Sequence, residues 1–279
     1  MDDGRIDDSG IEGASVSTPA AVLARGRSTG GLGVVPIRAL SVLSLLAAWW
    51  LGARWAASPQ LPGPGRVVAF AWHDLLDGAL PVNIAVTLAR VTAAFAAAML
   101  AGSVAGYLAG RSRRLDAVID PWVVIALNLP VLVVVVLTYI WVGLNDVAAV
   151  LAVTIAKAPT VFVTIREGAR ALDPQLEELA RVYRLSLARR LRHIEAPQLL
   201  PYLAAAARSG LAITWKIVLI VELLGRPNGV GFALNLYFQS FNVTGILAYG
   251  CVFAVIMLVA ETVLLQPWER RANGWRRRA

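Results

Sequence analysis

The sequence is short of the residues that most enzyme and metal chemistry uses. It has one cysteine, Cys251, and only two histidines, His73 and His193, in 279 residues. A single thiol inside an apolar run excludes an intrachain disulfide and any multi-cysteine metal site, and it reads as a small buried hydrophobe. No Gly-x-x-x-x-Gly-Lys-Ser/Thr phosphate loop occurs, so nothing predicts nucleotide hydrolysis by this chain. Charge is scarce too: 16% of residues are charged against 58% hydrophobic. A soluble domain of this size could not bury so much apolar surface, which points to a membrane as solvent.

Uncharged stretches such as Val91 to Gly110 and Val123 to Val142 are about 20 residues long, enough for an α-helix to cross about 30 Å of hydrocarbon. The expected fold class is all-α, a polytopic bundle of about six spans. These run roughly Ala39 to Ala57, Asn83 to Gly110, Ala117 to Val142, Val147 to Ile165, Pro201 to Gly225 and Thr244 to Pro267. Lys157 and Pro159 interrupt the fourth, and Lys216 and Glu222 the fifth, so either is open to a re-entrant reading. Residues 1–36 are rich in Asp, Gly, Ser and Arg and read as a disordered tail, followed by a transmembrane domain over 37–268 and a basic tail over 269–279.

The net charge of +8 does not form a nucleic-acid-binding stripe. With the N-terminus inside, nineteen Lys and Arg fall on the inner side and three on the outer, which predicts that both termini are cytoplasmic. By that topology His73 and His193 lie on opposite sides, where they cannot share a metal or a base-orienting role. No cofactor is expected. Between the first two spans, Leu61-Pro-Gly-Pro-Gly65 breaks the chain before an amphipathic stretch from Arg66 to Leu76. This stretch predicts a short outer surface helix, either contacting an external partner or plugging one end of the bundle.

The longest inner connection, Arg166 to Leu200, is too polar to insert yet has helical order. Asp173 before Pro174 is an N-cap with proline at the first helical position, and Leu176, Leu179, Ala180 and Tyr183 follow on one face. A second short helix is expected after Ser186, running through Leu187, Leu191 and Ile194 to a stop at Pro197. Together they predict a knob with an apolar ridge and a basic rim.

The run Glu178-Leu-Ala-Arg-Val-Tyr-Arg-Leu-Ser186, continuing through Ile194 and Pro197 to Leu200-Pro201-Tyr202, resembles the cytoplasmic loop motif of permeases from binding-protein-dependent ABC importers. Glu178, Ala180, Ile194 and Pro197 occupy matching positions. Leu61-Pro62 with Pro64, Arg90, Arg208, Trp215, Glu222 to Gly225 and Gly229 to Gly231 look like the branch that imports aliphatic sulfonates, taurine, nitrate and bicarbonate. Three loop positions depart: Arg184 stands where the family has Gly, Leu179 replaces an Ala and Ala196 replaces a Leu. The family's Gly is expected at a left-handed turn, where a side chain costs about 1–2 kcal/mol. The third span has Pro130 but not the usual paired prolines.

The resemblance implies a non-catalytic permease subunit in a prokaryotic plasma membrane, working with separate ABC ATPase subunits, an extracytoplasmic solute-binding protein and a second permease subunit, identical or different. It makes the knob a coupling helix that passes ATP-driven motion into the spans. Glu178 would anchor it, Leu179, Tyr183 and Leu187 would grip, and Ala180, Arg184, Ser186, Ile194 and Pro197 would shape it. Four cations lie within spans: Arg90, Lys157, Arg208 and Lys216. Arg90, Lys216 and Glu222 are candidates for the translocation path. Structural roles compete: Lys157 and Arg208 reaching toward the inner interface, Arg90 paired with an acid such as Glu261, and Glu222 as a cap or gate contact. Gly102, Gly106 and Gly110 predict close helix packing. The rival class is a secondary transporter or channel whose arginine-rich loop binds lipid, and a third is a non-transport scaffold.

Overall fold

A computed structural model describes residues 31–268 of the chain. The expected tails lie outside these residues, apart from 31–36, which are helical. The chain divides into two units, with the boundary after Leu51. The first contributes most of helix α1, Gly31–Ala56, on which Leu40, Leu43 and Leu45 are exposed.

The second unit is a bundle of long helices. In chain order it contains α2 (Pro64–Leu76), α3 (Ala79–Arg111), α4 (Arg113–Asn128), α5 (Val131–Val142) and α6 (Asp146–Arg170). After these come α7 (Pro174–Val182), α8 (Leu187–Arg190), α9 (Ala196–Gly225), α10 (Val230–Gln239) and α11 (Val243–Ala260). Four stretches are long and apolar enough to cross a membrane: Ala79–Arg111, Asp146–Arg170, Leu187–Gly225 and Val243–Trp268. The α4 and α5 pair is a fifth if counted as one broken span, and Leu40–Ala56 is a shorter apolar helix. The chain is therefore an all-α, multi-pass membrane protein.

The break falls where no interruption was predicted. The third expected span bends by 102° between α4 and α5. Pro130 disfavours helical backbone at Leu129, which is extended at φ −72°, ψ 129°, so the helix stops before it. The fourth and fifth spans are continuous instead. Pro159 is buried within α6, and both Pro197 and Pro201 lie within the Leu187–Gly225 stretch. Pro197 does not end a short helix. A π-turn over Leu191–Glu195 joins α8 to α9, with the Ala196 N–H reaching back to the Leu191 carbonyl. Widening the turn is one way to seat a ring that removes a hydrogen bond and crowds the carbonyl four residues earlier.

Helix α3 lies along α6 at the centre. A Cβ on Gly102 would stand 2.6 Å from the Ala158 carbonyl oxygen, and one on Gly106 2.5 Å from that of Phe162. The expected packing role of these glycines is thus the one they have. Helix α9 packs on both α6 and α3, and Leu80, Val91, Val135, Val153, Val218 and Phe253 form part of the main apolar core. Helix α2 packs on α11 and reaches α10: Asp74 accepts from the Tyr249 hydroxyl of α11, and Phe70 meets Tyr237 of α10 edge-on at 5.5 Å, while Val68, Trp72 and Leu76 stay exposed. Cys251 is exposed on α11, not buried as expected; a helix surrounded by lipid tails has no reason to turn a small apolar group inward.

Candidate functional site

The α7 end of the bundle carries the predicted knob. Asp173 caps α7 by accepting from the Gln175 N–H at 2.8 Å, with Pro174 at the first helical position. The helix ends in a Schellman arrangement: the Leu185 N–H bonds the Ala180 carbonyl at 2.9 Å and the Arg184 N–H that of Arg181 at 3.0 Å. The residue between must be left-handed, and Arg184 is, at φ +47°. The turn therefore keeps the geometry for which glycine is best suited, and Arg184 carries the strain of having a side chain there.

The outward face of the knob is apolar. Tyr183 is 71% exposed, Leu187 77% and Leu179 49%, and Glu178 is exposed beside them. Ala180 is buried, Ile194 is half-buried, and Ser186 and Pro197 are exposed. Leu179, Tyr183, Leu187 and Glu178 thus all reach the surface of one small element, while Ala180 packs inward.

Ion pairs tie this element to the bundle. Glu177, one residue before the predicted anchor, receives Arg111 from the end of α3, Arg190 at 3.4 Å and Arg181 at 4.0 Å. Buried Glu195 receives Arg190 at 2.6 Å and the Tyr107 hydroxyl of α3. Arg166 of α6 holds Asp116 at 3.2 Å as well as Asp120. Sequence reasoning missed Glu177 and Glu195; their one signal was acids placed among seven arginines. A further brace is the Gln198 side chain, which accepts from the Asp173 N–H at 2.9 Å.

The opposite end holds a second cluster. Arg90, about three turns into α3, donates to Glu222 of α9 at 2.7 Å and to Asp146 of α6 at 2.8 Å. It also bonds the Asn228 carbonyl at 2.9 Å. Glu222 is 0% exposed and accepts from Thr87 at 2.8 Å and from the Gly231 N–H at 2.9 Å. Gly229 has φ +108°, and a Cβ there would stand 2.5 Å from the Glu222 carboxylate, so two constraints exclude a side chain. The acid sits at the N-terminus of α10, where exposed N–H groups favour negative charge. Arg226 adds a pair to Asp146 at 3.1 Å.

Of the predicted path residues, Arg90 and Glu222 are bonded to each other, whereas Lys216 is exposed with its ammonium 5.5 Å from the Trp215 ring centroid. The expected Arg90–Glu261 pair does not form; Glu261 meets Arg208 at 3.6 Å. Nor does Lys157 reach an interface, since it is 2% exposed within α6. Asp146, Asn228 and Thr87 were not foreseen. Contacts between residues more than fifty positions apart have no local signal.

The family described as "Binding-protein-dependent transport system inner membrane component" matches residues 98–265, and the chain belongs to it. It is 26% identical over 92% of its length to a permease assigned to aliphatic sulfonate transport in Bacillus subtilis, covering 86% of that protein. The taurine transport system permease protein of Escherichia coli is 26% identical, covering 83% of this chain and 86% of the relative. For the riboflavin transport system permease protein of Chloroflexus aurantiacus the identity is 29%, with 82% and 89% covered. The fold is shared with the MetNI methionine ABC transporter in inward-facing conformations, at a TM-score of 0.57 and 18% identity over 67% of this chain and 92% of that one. An amino acid ABC transporter solved with histidines gives 0.55 at 23% identity, over 68% and 92%.

Proposed function

We propose that this chain forms the translocation path of an ATP-binding-cassette importer for a small anion, of the kind of a sulfonate, taurine, nitrate or bicarbonate. Hydrolysis belongs to separate ATPase subunits, and an extracytoplasmic binding protein delivers the solute. A second permease subunit, another copy or a different chain, completes the path. The protein resides in a prokaryotic plasma membrane with both termini cytoplasmic, which the arginine bias at the α7 end supports.

The observation that carries this reading is the knob: Tyr183, Leu187 and Leu179 stand exposed at the end of the bundle richest in arginine, on an element braced to α3 through Glu177 and Glu195. Exposed apolar side chains on a rigid, charged-rim element suit a protein groove. In this reading Glu178 anchors the docked knob. Closure of two ATPases on ATP moves α7, and the ion pairs transmit that motion to α3 and α9. For the solute, the support is the printed function of the sulfonate and taurine relatives, together with the positive surplus among in-span charges.

Co-purification tests the reading. The ATP-binding subunit encoded with this chain is expected to stay bound through detergent extraction and to be lost from Tyr183→Ala/Leu187→Ala. Solute uptake by the purified chain alone would point instead to a secondary transporter or channel.

A further inference from the structure

Three of the four in-span cations have company. Arg90 meets Glu222 and Asp146, Arg208 meets Glu261, and Lys216 lies exposed beside Trp215. Lys157 is different. It lies near the middle of α6, 2% exposed, and among the described residues neither a carboxylate nor a hydrogen-bonding group reaches its ammonium. Apolar layers lie on both sides of it along the bundle, with Val153 and Val218 toward one end and Val161 and Ala206 toward the other. A bare ammonium in such surroundings is unfavourable by several kcal/mol, so a protein holding one without a structural counterion leaves a charge to be satisfied by something else.

Helix α9 adds a second polar group. Gly210 of α9 faces the lysine stem: a Cβ there would lie 3.6 Å from Lys157 Cε and 3.2 Å from the Phe95 ring. One turn further along α9, Thr214 is 0% exposed and its hydroxyl has no hydrogen-bond partner. An ammonium offers three donors and a hydroxyl one more, which suits an oxyanion, and among the described residues no acid reaches the ammonium.

We propose that Lys157, aided by Thr214, is an anion-binding position inside the bundle, taking the sulfonate, carboxylate or similar oxyanion group of the transported solute at mid-membrane. This rests on the reading of the chain as an anion importer. It replaces Arg90 and Lys216 as the contact that selects charge: Arg90 already has its acids, and Lys216 faces away from the interior. A single cation with a hydroxyl binds weakly enough to release what it has bound, as a conducting site must.

The test uses the purified full-length chain in detergent and follows its thermal unfolding midpoint in sodium methanesulfonate against sodium chloride at equal ionic strength. A saturable rise with methanesulfonate is expected for the wild type and for Lys157→Arg. In Lys157→Met the apparent Kd should weaken at least ~10-fold, about 1.4 kcal/mol, and in Thr214→Val by a smaller factor. An equal rise in Lys157→Met and wild type, or equal rises with both salts, overturns the proposal. So does the absence of any rise in the wild type. If Lys157→Met does not accumulate, Lys157→Gln is read by the same criterion. The importer reading is checked separately by the solute retained on the external binding protein: a neutral solute there contradicts that reading while leaving the methanesulfonate result intact.

Discussion

At the α7 end, Glu177 meets Arg111, Arg181 and Arg190 beside a ridge of exposed Leu and Tyr, whereas at the other end Arg90 and Glu222 bond each other out of reach of solvent. Similar chemical groups do different work in the two places. Near water, an ion pair is cheap to make and to lose, and its use is to hold α7 in position while apolar side chains remain available. In the core, two charges removed from water are tolerable only with every hydrogen bond made, and Glu222 has three donors: Thr87, Arg90 and the Gly231 N–H. One end leaves apolar side chains exposed, and the other locks α3, α6, α9 and α10 together.

The largest effect that would sharpen this contrast is predicted for Glu222→Gln, which leaves Arg90 buried without its closest acid. A loss of about 3–5 kcal/mol is expected, read as a collapse in thermal midpoint and extracted yield. Removing both charges in Arg90→Met/Glu222→Leu should recover much of that loss, because no unpaired charge remains. By comparison Glu178→Ala should change stability by no more than about 0.5 kcal/mol. Equal destabilisation by the two single changes would erase the distinction between the ends.

A middle-sized effect is expected on α3 near its α7 end. Gly106→Val places a side chain where a Cβ alone would be 2.5 Å from the Phe162 carbonyl oxygen, so α3 and α6 must separate. About 1–3 kcal/mol of destabilisation follows, with greater protease sensitivity. One further change has the opposite sign. Arg184→Gly relieves the left-handed backbone at φ +47° and should stabilise the knob by about 1 kcal/mol, read as slower hydrogen exchange in α7. Faster exchange would mean that the arginine side chain holds the turn.

Much of the fold was legible because lipid imposes simple rules. Helical spans follow from apolar length, and a close-packed face on α3 from the four-residue spacing of Gly102, Gly106 and Gly110, though its partner α6 comes from the structure. The start of the knob was legible because capping is local, in Asp173 and Pro174, and the left-handed position at 184 was legible through the family resemblance. The break of the third span at Pro130 was not read, although the proline was seen, because uninterrupted hydropathy across Val123 to Val142 outweighed it. Proline was over-read at 197, where a π-turn absorbs it. The charged contacts were least legible. Arg90 and Glu222 were both singled out, but their pairing across 132 positions depends on how α3 and α9 pack. Glu177 escaped notice because the motif drew attention to its neighbour.

Uptake by the complete transporter in proteoliposomes, with its ATPase and binding protein present and ATP inside, tests the central claim most directly. For Tyr183→Ala/Leu187→Ala, a chain that still folds and inserts is predicted to lose ATP-driven uptake. Uptake at the wild-type rate would contradict the assignment of the α7 knob as the element that couples nucleotide to transport.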